Sequence, residues 1–195
     1  MVRYVFKAVL LVLCVIFTQA FADDVIYSAL EKTPLKLKEI SEDAVASFSG
    51  SITIHGEYEV TLNRYSDNDQ FEPYVSFYPD SNSLKYLPTP KSENPENDTP
   101  PKAIYLTNGD KSAKLLLRKS EYKTLIDEKI ILDNFSAEQL SEIQKIKTFR
   151  GFARIKINGY KTAIDCDSRW YNARLISVKQ KRKQRFASTS GNLPC

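Results

Sequence analysis

The chain has 195 residues but only one histidine, one tryptophan, one methionine and six glycines. The lone histidine, His55, excludes a multi-histidine metal cage. A Ser/His/Asp triad would have to use a histidine that sits in a strand-like run with no nucleophile motif beside it. No glycine cluster exists that would cradle a phosphate. After Phe17 no apolar run approaches the roughly 20 residues that a bilayer-spanning helix needs. Acids are missing from the last 28 residues, although the chain holds 24 of them.

What is present starts at the amino terminus. Met1–Lys7 carries Arg3 and Lys7 and no acid, and Ala8–Phe17 gives ten uninterrupted apolar residues. Thr18 and Gln19 lead to Ala20-Phe21-Ala22 and then Asp23-Asp24. This is the order of a secretory signal with a small-x-small cleavage site, and it predicts a cut between Ala22 and Asp23. A membrane anchor would need a longer apolar segment. Acylation at Cys14 would call for a small residue before it, where Leu13 stands. The expected compartment is periplasmic or secreted, with residues 23–195 as one domain and no transmembrane segment after processing.

Processing also removes Cys14 and leaves Cys166 and Cys195. Two cysteines in an oxidising compartment are expected to pair. Closing that loop would contribute about 3.5 kcal/mol on chain-entropy grounds. The segment they bracket is basic: Arg169, Arg174, Lys179, Lys181, Arg182, Lys183 and Arg185 make the last 28 residues +7. Residues 23–167, with 19 basic and 24 acidic side chains, carry −5. Such asymmetry marks either a solvated extension of the last strand or a patch for an acidic partner.

Between the ends, residues 25–47 have partial helical spacing interrupted by Pro34, which predicts a short helix or turn over 38–46. Residues 51–62 alternate apolar and polar, with Ile52, Ile54, Tyr58, Val60 and Leu62 on one side and Gly56 at a bulge or tight bend. A second strand is expected at 74–78. Residues 79–101 hold six of the nine prolines, and predict a long exposed loop within the single domain. Asn108-Gly109 between two apolar runs predicts a hairpin turn within 103–117. Ile130-Ile131-Leu132 suggests a small strand. Ser136 and Gln139 form a capping-box pattern ahead of a helix over 137–147. Strands follow at 152–160, with Phe152, Ile155 and Ile157 as the apolar set, and at 170–179. The class is mainly β (α+β). The order fits a five-stranded OB-like Greek-key barrel with one amphipathic helix between the third and fourth strands.

The stretch from Gly151 to Tyr160, with Tyr171-Asn172-Ala173-Arg174-Leu175-Ile176 and the early His55-Gly56-Glu57-Tyr58-Glu59, resembles small exported bacterial proteins of unknown function. The resemblance spans roughly residues 50–62 and 150–178. It implies an OB-like barrel and export, and implies no activity.

No residue constellation here calls for a cofactor or metal, and none supplies catalytic residues. Asp67-Asn68-Asp69-Gln70-Phe71-Glu72 is rich in oxygen ligands but lacks the glycine and terminal glutamate of an EF-hand loop. Asp165 and Asp167 would raise the pKa of a Cys166 thiol, the wrong direction for a nucleophile. The aromatics Trp170 and Tyr171 beside Arg174, Lys179, Lys181, Arg182, Lys183 and Arg185 instead suggest a binding surface. The expected function is a non-catalytic exported binding module for a protein, glycan or anionic envelope partner. Export makes nucleic acid an unusual client. The alternative is a small carboxylate-based periplasmic hydrolase.

Overall fold

The computed structural model describes residues 27–64, 70–91, 101–143, 146–165, 168–181 and 185–186. The signal and its cleavage residues Ala20, Ala22 and Asp23 lie outside the described residues, as do Asp67–Asp69, Cys166, Cys195, Arg182 and Lys183.

Alternation dictates the two longest neighbouring strands. In β3 (Ser51–Arg64) Ile52, Ile54, Tyr58, Val60 and Leu62 are buried while the intervening side chains face out. In β6 (Phe149–Asp165) the buried set is Phe149, Ala153, Ile155 and Ile157 before Gly159, and Tyr160, Thr162 and Ala163 after it. These strands pair antiparallel from Ser51↔Asn158 to Val60↔Phe149. β3 also pairs antiparallel with β4 (Phe71–Pro79), and β4 with β5 (Ile104–Thr107). β5 runs parallel to β7 (Ser168–Lys181), which returns antiparallel to β6. The order β3-β4-β5-β7-β6 therefore closes on itself as a five-stranded barrel. Ile52, Tyr58, Val75, Phe77, Ile104, Leu106, Ile155 and Leu175 belong to the core it encloses.

Outside the ring, β1 (Lys36–Ile40) pairs with β2 (Ala46–Ser49), β2 with β6, and β8 (Arg185–Phe186) with β6. Of the expected helix or turn over 38–46, residues 41–45 form a turn, and the residues on either side belong to the two short strands it joins. The reason is visible in burial: of the supposed apolar face, Leu35 is buried but Leu37 and Ile40 are over two-fifths exposed. A helical stripe that buries almost nothing yields to sheet pairing at an edge.

The described residues contain four helices rather than one. α1 (Ser81–Leu84) follows β4, and α2 (Gly109–Leu116), α3 (Lys119–Asp133) and α4 (Ala137–Ser141) occupy the connection from β5 to β6. The expected Asn108-Gly109 hairpin is a helix start instead. A two-residue type I′ turn needs positive φ at both positions, whereas Asn108 has φ of 62° and Gly109 is not in that region. Glycine is needed there for another reason, since a Cβ would sit 1.8 Å from the Pro73 carbonyl oxygen. Ala113 and Leu116 then bury one side of α2, which packs against β4 and β7.

The expected strand at 130–132 is the last turn of α3. Its buried positions Glu121, Leu125 and Leu132 have helical spacing, while Ile130 and Ile131 are exposed. An apolar triplet alone does not separate the two periods. The Ser136–Gln139 capping box forms as its sequence requires, but α4 ends at Ser141.

The proline-rich stretch is not a wholly exposed loop. Leu87 and Thr89 are buried, Tyr27 bridges to Pro90, and the Tyr160 hydroxyl donates to the Pro88 carbonyl at 2.9 Å. Tyr27, Phe48, Tyr160 and Tyr171 form a continuous ring-to-ring chain beneath it, with centroids 5.6–6.3 Å apart. Burial, with Tyr171 adjacent, pushes the Tyr160 hydroxyl well above its ordinary pKa. It stays a donor.

Two glycines do different work. Gly56 sits in an unbroken ladder, between Pro79 and Ala153, with no bulge. A Cβ there would lie 2.1 Å from the Tyr78 carbonyl oxygen. Gly159 has φ of 56° and open space around its missing Cβ. Gly56→Ala should therefore cost about 2–3 kcal/mol by overpacking, and Gly159→Ala about 1 kcal/mol by backbone strain alone. Urea unfolding of the two variants checks the order; equal losses would refute the steric account of Gly56.

Candidate functional site

Residues that alternate inward on β3 and β6 leave a second set facing out, and three adjacent strands bring that set together. His55 lies opposite Arg154, and Glu57 lies between Phe152 of β6 and Tyr78 of β4. One rung further, Glu59 receives the Arg150 guanidinium, whose Nε donates to Glu59 Oε2 at 2.6 Å. Asp80 follows β4, and its N–H donates to the His55 carbonyl at 2.9 Å. His55, Glu57, Tyr78, Asp80, Phe152 and Arg154, with Gln180 of β7, line an open groove of about 440 Å³. Phe152 is 55% exposed and Tyr78 36%, so two aromatic surfaces flank the central Glu57.

The groove is fixed at one end by α1. Asp80 caps that helix by accepting the Ser83 N–H at 2.8 Å. Ser83 is itself buried, and its Oγ accepts the His55 N–H at 2.8 Å. The histidine backbone is thereby pinned to the helix start. Slight desolvation acts to raise the Asp80 carboxyl, but hydrogen bonds from Ser83 and Asn82 and the nearby His55 outweigh it and hold the group below its usual range. Across the groove, burial and then the Glu59 charge raise the Tyr78 hydroxyl above the ordinary phenol value. It remains a protonated donor at neutral pH.

Phe152 corrects the sequence expectation. It was grouped with Ile155 and Ile157, but an even position cannot share a strand face with odd ones, and it is exposed. The groove was otherwise overlooked. Its signal was the polar half of the alternation, His55, Glu57 and Glu59, which the search for a buried face sets aside.

The residues expected to bind are scattered. Tyr171 turns inward, buried against Tyr160. Trp170 is half-buried, and Arg174 and Lys179 are exposed on β7. Lys181 leans back on the helices, its Nζ donating to the Leu117 carbonyl at 3.3 Å. Desolvation, with Arg118 nearby and Glu121 opposing, lowers its pKa. Arg185 pairs through its backbone with Arg150. The end of β7 therefore touches both regions, with Gln180 in the groove and Lys181 at the α2–α3 junction.

Among the described residues no group of three metal-ligating side chains converges, and no helix is long and apolar enough to cross a membrane. The chain matches no protein-family model, no curated protein and no solved structure.

Asp80→Ala should cost about 1 kcal/mol through loss of the helix cap. Because the folded carboxyl titrates below its unfolded value of about 3.9, its contribution is complete above that pH and fades as pH falls through the folded value. The stability gap between wild type and Asp80→Ala, measured by urea unfolding, should narrow from pH 6 to pH 3. A gap that stays constant would assign the loss to packing.

Proposed function

We propose that this protein is an exported, non-catalytic binding module built on an OB-like barrel, and that it holds a glycan in the groove flanked by Tyr78 and Phe152. The barrel's order of pairing and its parallel β5–β7 contact support the OB-like reading, since that fold closes five strands and binds oligosaccharides on its outer face. The signal-like amino terminus supports export. With Cys166 and Cys195 in an oxidising compartment, a disulfide would tie the carboxyl-terminal tail to the β6–β7 turn.

The single observation that carries the function is the groove's composition. Two exposed aromatic rings supply flat apolar area, and the Glu57, His55 and Arg154 side chains between and beside them supply acceptors and donors. Sites for small polar ligands combine those two elements. Arg150 and Glu59 neutralise each other at the groove's margin, so the floor is polar without a dominant charge. That suits a glycan better than a strongly anionic ligand.

The carboxylate-hydrolase alternative draws less support. A general acid needs its pKa raised, and Asp80, the groove carboxyl with a displaced pKa, moves down.

The test is calorimetric titration of the purified protein with soluble oligosaccharides released from bacterial envelope polysaccharide. Phe152→Ala should weaken binding at least about tenfold, as loss of a central aromatic anchor does, while leaving the melting temperature nearly unchanged because the ring is exposed. No heat of binding from wild type, or equal affinity in Phe152→Ala, would remove the groove from consideration. Steady release of reducing ends would replace binding with hydrolysis.

A further inference from the structure

The helical corner has a chemistry unlike the groove's. The carboxylates of α2 and α3 are engaged within the fold. Asp110 accepts the Tyr122 hydroxyl at 2.6 Å, and buried Glu121 accepts the Arg118 N–H at 2.8 Å. Asp127 pairs with Lys123 at 2.6 Å, and Glu128 accepts the Lys147 N–H at 3.1 Å. Asp133 holds both Lys129 and the Phe71 N–H. Lys123 and Lys129 are taken up in those pairs, but four other cations are not. Lys111, Lys114, Arg118 and Lys119 are exposed and make no ion pair among the described residues.

Three of those cations, with the Lys123–Asp127 pair, surround an open hollow of about 850 Å³ whose other walls are Ser120, Tyr122 and Ile126. The apolar surface continues along α3. Ile130 lies one turn beyond Ile126 on the same face, and Ile130 and Ile131 are 55% and 53% exposed. Leu125 and Leu132 already bury the inward side of this helix against the core. The outward side of α3 is thus mixed, with Ile126 and Ile130 beside the exposed Lys119 and Lys123.

We infer that the α2–α3 corner docks on an anionic phospholipid bilayer, with Lys114, Arg118 and Lys119 at the headgroup phosphates and Ile126, Ile130 and Ile131 at the acyl boundary. Charge complementarity selects an anionic partner, because the local acids are occupied while Lys111, Lys114, Arg118 and Lys119 are not. The isoleucines select lipid among anionic partners. A polyanionic chain would neutralise the lysines and leave three branched apolar side chains in water, whereas an interfacial helix buries both. Lys181 ties the end of β7 to Leu117 at the same corner. The inference does not depend on the glycan reading of the groove.

Vesicle sedimentation of the purified protein tests it. Mixed phosphatidylglycerol–phosphatidylcholine vesicles should retain the protein, pure phosphatidylcholine vesicles should not, and salt should weaken retention. Lys114→Gln with Lys119→Gln should reduce the partition constant by roughly thirtyfold. Ile130→Asn with Ile131→Asn should reduce it about tenfold or more without changing retention on heparin. All four side chains are exposed, and thermal melts of both variants should match wild type. The inference is overturned if the lysine variant keeps its vesicle affinity, or if the isoleucine variant does so while heparin binds wild type equally well. Loss of binding on Lys183→Gln with Arg185→Gln, but not with the α2–α3 lysine changes, would move the site to the tail.

Discussion

Barrel closure rests on β6. Its 17 residues hydrogen-bond to β3 on one side and β7 on the other, and also carry β2 and β8. One strand of that length cannot serve neighbours on several sides of a small barrel while staying straight. The bend falls at Gly159, with φ of 56°, and the pairing with β7 shifts between Asn158 and Lys161. Opposite it, Gly50 at φ of 94° separates β2 from β3. Two left-handed glycines at one level let both strands turn together, so that the outer hairpin leaves the barrel without breaking its ladder.

The rest of the topology follows from how the ring is completed. Only three rungs, Tyr105↔Asn172 to Thr107↔Arg174, join β5 to β7, and they are parallel. Parallel neighbours need a long connection rather than a hairpin. The chain uses residues 108–148 and the whole of β6 before it returns. That explains why the Asn108-Gly109 signal does not produce a local turn. A hairpin there would have given β5 an antiparallel neighbour at the position β7 occupies.

How much of this was legible depended on what each pattern measures. Alternation reports which side of a strand is buried, so β3, β4, β7 and the part of β6 before Gly159 were readable, whereas past Gly159 the buried positions of β6 change phase. The Ser136–Gln139 capping box is a local hydrogen-bonding device and was readable too. β1 buries no side chain, and its strand state exists only through pairing with β2. α3 misleads because its apolar residues point both ways, which blurs helical periodicity into short apolar runs. The proline-rich segment was misjudged for a related reason: composition averages over 23 residues, while packing there depends on Leu87, Thr89 and the Pro88 carbonyl.

The sites were less legible than the fold, and the reason is geometric. His55, Glu57, Tyr78, Phe152 and Arg154 come from three strands and are neighbours only once the register is set. The tail charges, in contrast, are adjacent in sequence and draw attention, although nothing fixes their direction until β7 is placed. When it is placed, the charge of the molecule divides by duty rather than by sequence position. Several acids are used within the structure, as the cap of α1, as partners along α3 and as the mate of Arg150. Many of the bases are left outside on the helical corner and along β7. A net charge of +4 understates this division, because a carboxylate already holding a hydroxyl or a backbone N–H offers little to a passing cation. A lysine without a partner keeps its full attraction for an anionic surface. The same folding contacts that stabilise the barrel thereby leave it with one nearly neutral, aromatic-flanked groove and one lysine-rich, isoleucine-edged corner.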